Sequence, residues 1–491
     1  MISLFGSIAA GLLAALAFPP LGWGFLTVPA VIVFLWSLRR ARSSLIATLA
    51  ATAYGITFFG LLMWWITRTE AIALLALVIS QSIFVAVFGW FVYRQRELSV
   101  TPWVIVISGG WGLMELLRGW VPVGGLQWGG LGYALAPYAS ARGTAAWISV
   151  SGWTIVIVLT AALVVRLMED RMELVWFGGL AAMWAVLLGI GALWPAVADG
   201  AELRVTVVQG NSPCVEHCAG DREAIYENHL RLTQALPPSS AGLVVWGESA
   251  TGFSTDPLLN PAVARSIEVE ANRIGAYFLV GGDRPVDEDH FVNANMVFDP
   301  DGRYLGEYNK RHPVPFGEYV PWRPVFGLIP ATSRVPRDMV RGAGPMVFEL
   351  DSGSIGSIIS FEGAFARYTR DHVAAGAQLM VVATNERSYG VGPAADQLID
   401  MTRMHAAENG VDLVQAAITG KSALIVDGGR IDRVTELYEA ATITGAVRFR
   451  ESGRTLAGLL GDWVVILSIA GLVVYLVADP LRSFGKNRRA T

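Results

Sequence analysis

The sequence has little charge and almost no cysteine. Charged residues make up 16% of the 491 residues and hydrophobic residues 53%, whereas soluble domains carry about 25% charge. This composition favours a membrane protein over a wholly soluble one. The net charge of −4 is small, and no basic stripe interleaved with aromatic residues is present, so nucleic-acid binding is set aside as a function class.

The two cysteines, Cys214 and Cys218, are close together in the chain. A disulfide between them is chemically permitted outside the cytoplasm, and two free thiols are the alternative. They lack a histidine cluster at zinc-finger spacing, so we expect no metal site. Nothing in the sequence implies a cofactor.

Long apolar runs occupy both ends of the chain. Most reach the ~20 residues needed to cross ~30 Å of hydrocarbon. Their ranges are 3–18, 22–38, 43–66, 72–93, 101–117, 145–166, 173–194 and 458–478. The sequence therefore predicts a seven-span membrane domain over 1–195, a domain of soluble character over 196–452, an eighth span over 453–480 and a basic cytoplasmic tail over 481–491.

Lysine and arginine are divided unequally between the two sets of short loops. The loops after spans two, four and six, with the tail, contain Arg39, Arg40, Arg42, Arg94, Arg96, Arg166, Arg171, Arg482, Lys486, Arg488 and Arg489. The loops after spans three and five contain only Arg68, Arg118 and Arg142. Because such residues are retained in the cytoplasm, both termini are predicted to be cytoplasmic in a bacterial plasma membrane, with the 196–452 domain extracytoplasmic.

The domain between the apolar runs alternates strand-like and helix-like segments. Strand-like, β-branched runs, most of them followed by Gly, Asn or Asp, lie within 202–211, 241–249, 276–283, 294–310, 353–362, 378–386, 411–429 and 441–449. Helical apolar spacing is found at 221–236, 261–275 and 394–410. The pattern predicts an α/β sandwich with candidate chemistry at the strand ends.

Three strand ends carry residues suited to acyl transfer. Glu248 follows the run LVVW, Lys310 and Glu318 lie in a proline-rich loop, and Ser360 and Glu362 follow GSIGSII. A nucleophile needs an activating base, and a cation near the developing oxyanion stabilises the transition state. A Glu, a Lys and a nucleophile in this order therefore form a candidate catalytic set.

The lysine segment resembles a known family. Asn309 and Lys310, followed by PFGEYVP at 315–321, are similar almost letter for letter to the lysine segment of the carbon–nitrogen hydrolase (nitrilase) superfamily. Within it, the whole chain resembles the apolipoprotein N-acyltransferase family, which joins such a domain to eight membrane spans. The resemblance implies about eight transmembrane helices and a nitrilase-like α-β-β-α sandwich between the seventh and the eighth.

The resemblance also implies roles for individual residues. Glu248 would be the general base and Lys310 the oxyanion cation, with a structural ion pair as the alternative. Glu318 and Glu362 are similar to acidic residues near the family's site that hold the lysine or assist proton transfer, with loop capping as the alternative. Phe361 matches the aromatic residue that follows the nucleophile.

Ser360 departs from the family pattern, which is Cys, aromatic, Glu. A thiol ionises near 8.5, whereas a serine hydroxyl needs a strong positioned base, and an oxyester on Ser360 would be a more stable trap than a thioester. Three accounts stay open: an enzyme adapted to serine, a relative whose activity is lost or changed, and deliberate replacement of the nucleophile. Residues 385–390 also depart, with NERSYG in place of an Asn-Asp-x-Trp-Phe-Gly-like segment.

An aromatic, glycine-rich loop in the membrane part resembles the family's loop between spans five and six. Trp120, Trp128 and Tyr133 suit the headgroup level, and they are candidate lipid contacts with an aromatic belt as the alternative. Arg118 is a candidate for binding a phosphate headgroup, or it snorkels.

The function implied by the resemblance is transfer of an acyl chain from a phospholipid to an apolipoprotein acceptor. The acceptor group would be the α-amino group of an N-terminal diacylglyceryl-cysteine, and the reaction would pass through an acyl-enzyme on the bilayer. The alternative is a catalytically impaired or repurposed relative that binds lipid, lipoprotein or a partner enzyme, and Ser360 motivates it. An amidase for small amides is a third hypothesis, which leaves eight spans unexplained.

Overall fold

The computed structural model describes residues 1–69, 71–170, 174–214 and 220–487. It contains two compact units. The helical unit is Met1–Trp194 with the chain from Leu460 onward, and the sheet unit is Pro195–Leu459. Cys218 lies in the segment 215–219, so the choice between a Cys214–Cys218 disulfide and free thiols falls outside the described residues.

Up to Trp194, the described residues of the helical unit form eight α-helices. They are α1 (Ile2–Leu16), α2 (Thr27–Arg39), α3 (Ser44–Leu62), α4 (Ala71–Arg94), α5 (Val100–Arg118), α6 (Ala139–Ile148), α7 (Val150–Asp170) and α8 (Leu174–Leu193). Two of the predicted apolar runs differ from the helices. The first helix ends at Leu16, ahead of Pro19 and Pro20, because proline cannot continue a helix. The run 145–166 is broken at Ser149, whose φ of 66° lies outside the helical region.

Not all of these helices reach the length of a membrane span. Among the described residues, five are long and apolar enough to cross a membrane: Ser44–Leu62, Ala71–Arg94, Val100–Arg118, Val150–Glu169 and Trp176–Leu193. Three shorter apolar helices are Ile2–Leu16, Gly24–Arg39 and Trp463–Val477. Each predicted apolar run thus overlaps at least one helix, and the number of helices that span the membrane stays a prediction.

Small residues let α3 and α4 pack closely. A Cβ atom added to Gly55 would lie 2.8 Å from Ser82 Oγ, and one added to Gly89 would lie 2.2 Å from Ala51 Cβ. Between apolar helices in lipid, association depends on close van der Waals packing, which small residues permit. These two glycines therefore fix how near the two helices approach each other.

The sheet unit contains fourteen strands and five helices among its described residues, before the chain continues into α14 (Leu456–Leu460) and α15 (Trp463–Asn487). The strands are β1 (Glu202–Gln209), β2 (Leu243–Trp246), β3 (Thr251–Gly252), β4 (Tyr277–Pro285), β5 (His290–Phe298), β6 (Tyr304–Asn309), β7 (Asp338–Met339), β8 (Val347–Leu350), β9 (Gly353–Ile359), β10 (Leu379–Thr384), β11 (Asp412–Ala417), β12 (Ala423–Val426), β13 (Arg430–Val434) and β14 (Ala441–Arg448). The helices are α9 (Asp221–Gln234), α10 (Pro261–Ile274), α11 (Arg323–Phe326), α12 (Ala366–Ala374) and α13 (Ala394–Asn409).

The strands form two mixed sheets. One has the order β14-β1-β2-β4-β5-β6, with β3 paired to β4 and β7 to β5, and the other has the order β13-β12-β11-β10-β9-β8. Strands β1, β2 and β4 are parallel in the first sheet, as are β9, β10 and β11 in the second. Because parallel strands share one direction, the carboxyl ends of each set lie at a common sheet edge.

Both faces of the first sheet are buried. Val205 and Val245 face a core shared with Ile355 and Val381 of the second sheet, while Trp246 on the opposite face packs in a core with helix α10. A strand buried on both faces needs a continuous apolar run, which explains the sequence LVVW in β2. Helices α12 and α13 lie against the second sheet, so the unit has the predicted α-β-β-α layers.

The two sheets come into close contact just beyond the end of β2. A Cβ atom on Gly247 would lie 2.9 Å from the carbonyl oxygen of Thr384 and 2.9 Å from the carbonyl carbon of Ala417. The next residue, Glu248, donates its backbone N–H to the same Thr384 oxygen at 3.3 Å. Glycine at 247 therefore lets the turn that carries Glu248 rest against the ends of β10 and β11.

Candidate active site

Glu248, Lys310 and Glu318 form one buried ion cluster. Lys310 follows β6, its side chain is 0% exposed, and its Nζ lies 3.0 Å from Glu248 Oε1 and 2.5 Å from Glu318 Oε1. The second Glu318 oxygen accepts the backbone N–H of Val314 at 2.8 Å. One ammonium thus neutralises one of two carboxylates, and the trio has a net charge of −1 when all three groups are ionised.

Neighbouring charges within the cluster shift the pKa values of Lys310 and Glu318. Burial lowers the pKa of Lys310, but the Glu248 and Glu318 carboxylates outweigh it, and the pKa lies above its ordinary value. Burial raises the pKa of Glu318, although Lys310 opposes the shift. Lys310 is therefore a permanent cation at physiological pH, as stabilisation of an oxyanion requires.

Ser360 occupies a sharp turn at the end of β9. It begins the 3-10 turn Ser360–Ala364, it is buried, and its φ is 52°. A non-glycine residue in this region is strained, and such strain is concentrated at functional sites. The strand-turn-helix arrangement resembles the way other folds present a nucleophilic serine.

Glu362 joins the Ser360 turn to the lysine loop. Its Oε2 accepts the N–H of Ile359 at 2.8 Å, and its Oε1 accepts those of Arg311 at 2.6 Å and His312 at 3.0 Å. The Tyr308 hydroxyl donates to both oxygens. Burial raises the pKa of Glu362, while these hydrogen bonds oppose the shift. Glu362 thus links the two loops by accepting their backbone N–H groups, and its role in the reaction stays a prediction.

Phe361 belongs to an aromatic cluster beside the hydrogen bonds of Glu362. Its ring is 5.4 Å from His312 and 5.1 Å from Phe365, measured between centroids. His312 also stacks on Phe365 at 4.5 Å, and its Nδ1 lies 2.9 Å from the Tyr368 hydroxyl. Burial lowers the pKa of His312 to about 3, so this imidazole is neutral. Phe361 and its neighbours support the turn through packing.

Asn293 is a residue of the site that the sequence did not indicate, and Asn295 lies two residues further along the same strand. The Asn293 amide donates to Glu248 Oε1 at 2.9 Å, and Asn295 donates to Ser357 Oγ of the other sheet at 2.6 Å. Both lie in β5, two residues apart and therefore on one face. The sequence feature that could have indicated them is a pair of asparagines on one face of a largely apolar strand. Buried polar groups need hydrogen-bond partners, so such a pair points to a polar site nearby.

The four candidate lipid contacts of the helical unit differ in solvent exposure. Trp120 is 57% exposed, whereas Trp128 and Tyr133 are buried within the helical unit. Arg118 is 2% exposed, and its guanidinium pairs with Glu115 at 2.7 Å and donates to the carbonyl oxygens of Leu126 and Trp128 at 2.9 Å each. Arg118 therefore fixes the loop, and of the four candidate lipid contacts the structure leaves Trp120 at the surface.

Within the ranges described, no cluster of three or more His, Cys, Asp and Glu side chains is arranged to hold a metal ion. The ion cluster itself contains a lysine, whose ammonium occupies the position between the carboxylates. The chemistry that these residues can perform is proton transfer and charge stabilisation.

The sheet unit, with its two sheets and its buried ion cluster, matches the carbon–nitrogen hydrolase class. The family model for carbon–nitrogen hydrolases matches residues 204–454, and the model for the apolipoprotein N-acyltransferase N-terminal domain matches residues 10–163. The chain is also similar to solved structures of an amidase from Nesterenkonia sp., with 16% identity over 54% of this chain and 98% of that one and a TM-score of 0.39.

Relatives of similar length extend over nearly the whole chain. The apolipoprotein N-acyltransferase of Gloeobacter violaceus is 30% identical, covering 98% of this chain and 95% of the relative. That of Mycolicibacterium smegmatis is 29% identical, covering 97% and 85%. The chain belongs to the apolipoprotein N-acyltransferase family.

Proposed function

We propose that this chain transfers an acyl chain from a phospholipid to the α-amino group of the N-terminal diacylglyceryl-cysteine of an apolipoprotein. One observation carries the proposal: the buried Glu248–Lys310–Glu318 cluster is joined through Glu362 to the strained turn of Ser360. The name shared by the full-length relatives supports the same reaction.

Each residue of the site has a distinct role in this reaction. Glu248 takes the Ser360 proton as the hydroxyl oxygen attacks the ester carbonyl of the phospholipid. Lys310 stabilises the oxyanion of the tetrahedral intermediate, and Glu318 holds Lys310 in place. Removal of one oxyanion-stabilising group costs about 3 to 4 kcal/mol in comparable sites. The lysophospholipid leaves, and the amine of the acceptor then attacks the acyl-Ser360 ester to form an amide.

The membrane arrangement is part of the proposal. Eight spans, over 1–195 and 453–480, place both termini in the cytoplasm and the 196–452 domain outside the plasma membrane. The excess of arginine and lysine in alternate loops supports this orientation, although Arg171, Arg488 and Arg489 lie outside the described residues. Two lipid-linked substrates explain why the reaction takes place on a bilayer.

Expression in a bacterial host that lacks its own lipoprotein N-acyltransferase tests the function. We expect the native chain to yield triacylated lipoprotein N-termini by mass spectrometry, and Ser360→Ala to yield only diacylated ones. Ser360→Cys is the matched variant that restores the family's thiol, and it should be at least as active as the native chain because a thioester is a better acyl donor to an amine than an oxyester is.

The outcomes separate the alternatives. Diacylated N-termini alone from the native chain would contradict the proposal, and if Ser360→Cys were active in that case, serine itself would be the defect in an intact site. Equal triacylation by the native chain and Ser360→Ala would exclude Ser360 as the nucleophile.

A further inference from the structure

Glu386 is a buried carboxyl group near the site that has no role in the proposed reaction. Glu386 follows β10 and is only 6% exposed. Its φ of 60° is strained for a non-glycine residue. In the part of the chain that the structure describes, neither carboxylate oxygen makes a hydrogen bond of good geometry, and the nearby Thr384 hydroxyl and Lys421 backbone N–H offset its burial only in part. A buried, unpartnered carboxyl group is costly, so its retention needs an explanation.

The backbone places Glu386 in the neighbourhood of the general base. The Thr384 carbonyl accepts the N–H of Glu248 at 3.3 Å, and the Asn385 amide approaches the Glu248 carbonyl oxygen at 3.5 Å. On its other side the Glu386 carboxyl group lies over Gly420, where an added Cβ would be 2.2 Å from Oε2. Glycine at 420 therefore provides the space that the carboxyl group occupies.

The surrounding charges favour a protonated Glu386. Burial, reinforced by the Asp396 and Glu248 carboxylates, raises the pKa of Glu386 to about 8. The nearby Lys421 does not offset this, because its ammonium pairs with Asp396 at 2.8 Å. Burial together with the Glu386 and Glu248 carboxylates also raises the pKa of the Tyr389 phenol, so that this group is neutral too.

A buried carboxyl group that keeps its proton can act as a general acid in the same site as a carboxylate base. Glu248 Oε1 accepts hydrogen bonds from the Lys310 ammonium and the Asn293 amide. Among the described residues, no ammonium group pairs with Glu386. We propose that Glu386 is the general acid that protonates the departing lysophospholipid oxygen, and the base that later takes a proton from the attacking amine. This inference rests on the proposed function.

Protons and bonds balance over the cycle. In acylation, Ser360 Oγ bonds to the acyl carbon as the carbon–oxygen bond to the glycerol breaks, the Ser360 proton passes to Glu248, and the Glu386 proton passes to the leaving oxygen. In transfer, the neutral amine bonds to the acyl carbon as its bond to Oγ breaks. An N–H proton then passes to Glu386, the Glu248 proton returns to Oγ, and both carboxyl groups end as they began.

A comparison of leaving groups tests the acid role. Full-length chain in detergent is given either dipalmitoyl phosphatidylethanolamine, whose leaving alkoxide needs a proton, or p-nitrophenyl palmitate, whose phenolate leaves without one. For Glu386→Gln we expect acylation by the phospholipid to fall about 100-fold and acylation by the nitrophenyl ester to change by less than about threefold. Glu288→Gln, which removes an exposed carboxylate, should change neither rate.

Two further measurements do not depend on the folding of Glu386→Gln. Gly420→Ala, whose methyl group would displace the Glu386 carboxyl group, should produce the same selective loss. The native chain should lose phospholipid-dependent acylation as the pH rises through about 8, because Glu386 then lacks its proton, while the nitrophenyl ester reaction should show no such decline.

Equal losses with both substrates, or no loss with either, would overturn the acid role while leaving the proposed function intact. A native chain that forms no acyl-enzyme with either substrate would instead contradict the proposed function. A phospholipid reaction of the native chain that keeps its rate above pH 8 would also count against Glu386.

Discussion

At the scale of single residues, the site depends on a lysine that cannot be removed without leaving two carboxylates unpaired. Lys310 is the cation shared by Glu248 and Glu318, and all three side chains are largely withdrawn from water. Buried ion clusters add little net stability, but breaking one by removing a single partner is strongly destabilising. Function and stability therefore depend on the same side chain.

We expect Lys310→Met to reduce both the rate of acylation and the stability of the fold. Acylation should fall by about 100-fold to 1,000-fold because the oxyanion loses its cation, and the free energy of unfolding should drop by about 3 to 5 kcal/mol because two carboxylates remain buried without a partner. Kinetics of acyl-enzyme formation and denaturant unfolding measure the two effects. Arg265→Ala, which removes the cation of an exposed pair with Glu268, should cost less than about 1 kcal/mol; a similar loss in both variants would contradict the account.

At the scale of elements, the site is assembled from turns at the ends of β2, β9 and β10. Ser249, Ser360 and Glu386 follow these strands, and each has a positive φ between 52° and 60°. These turns lie at the carboxyl ends of parallel strands in each of the two sheets, and packing of the two sheets sustains their strain. Gly247 is the point at which this packing has no room for a side chain.

Gly247→Ala should therefore disturb the site through the backbone. The added methyl group would be 2.9 Å from the Thr384 oxygen, and overpacking of this kind costs about 1 to 3 kcal/mol. We expect lower thermal stability together with slower acyl-enzyme formation, because the turn of Glu248 must move. Gly344→Ala is the control, since nothing lies within 4 Å of its added Cβ. Unchanged kinetics in Gly247→Ala would show that the contact of the strand ends is not needed.

A histidine between α9 and β1 makes the stability of the sheet unit depend on pH. His229 Nε2 accepts the N–H of Gly210 at 3.2 Å, while Nδ1 lies 2.7 Å from the Ile225 carbonyl oxygen. Burial lowers the pKa of His229 to about 4 from 6.5. Between these values the unfolded chain binds a proton that the folded chain does not, so this group's contribution to stability is lost as the pH falls.

One substitution tests this dependence of the free energy of unfolding on pH. As the pH decreases from 6.5 towards 4, His229 should contribute a loss of up to about 1.4 kcal/mol per pH unit. His229→Gln removes this titration, so denaturant unfolding of the variant at pH 7, 6 and 5 should show a shallower dependence than the native chain. Parallel stability curves for the two proteins would refute the assignment.

At the scale of the whole molecule, the sequence is informative about elements and less so about their contacts. Apolar runs and β-branched segments predicted the major helices and strands, because hydrophobic periodicity reflects which faces are buried. Short elements such as β8 and α12 were missed. The roles of Asn293 and Glu386 were missed as well, because they depend on which strand ends meet in space. Ser149 broke a predicted span through a backbone conformation that hydropathy does not report.

The proposed orientation in the membrane predicts which sites a membrane-impermeant thiol reagent can reach. In a background of Cys214→Ala and Cys218→Ala, Glu288→Cys in the sheet unit should be labelled in intact spheroplasts, because its domain is extracytoplasmic. Arg96→Cys, in the loop after α4, should be labelled only after the membrane is permeabilised. The reverse pattern, or labelling of both sites in intact spheroplasts, would contradict the predicted topology.

The most direct measurement for the central claim is the mass of the chain after incubation with phospholipid in the absence of any acceptor. The account predicts an increase equal to one acyl group, located by peptide mapping on the segment that contains Ser360, and removed when a diacylated lipopeptide with a free amino group is added. An adduct on another residue, or no adduct while the acceptor becomes acylated, would contradict it.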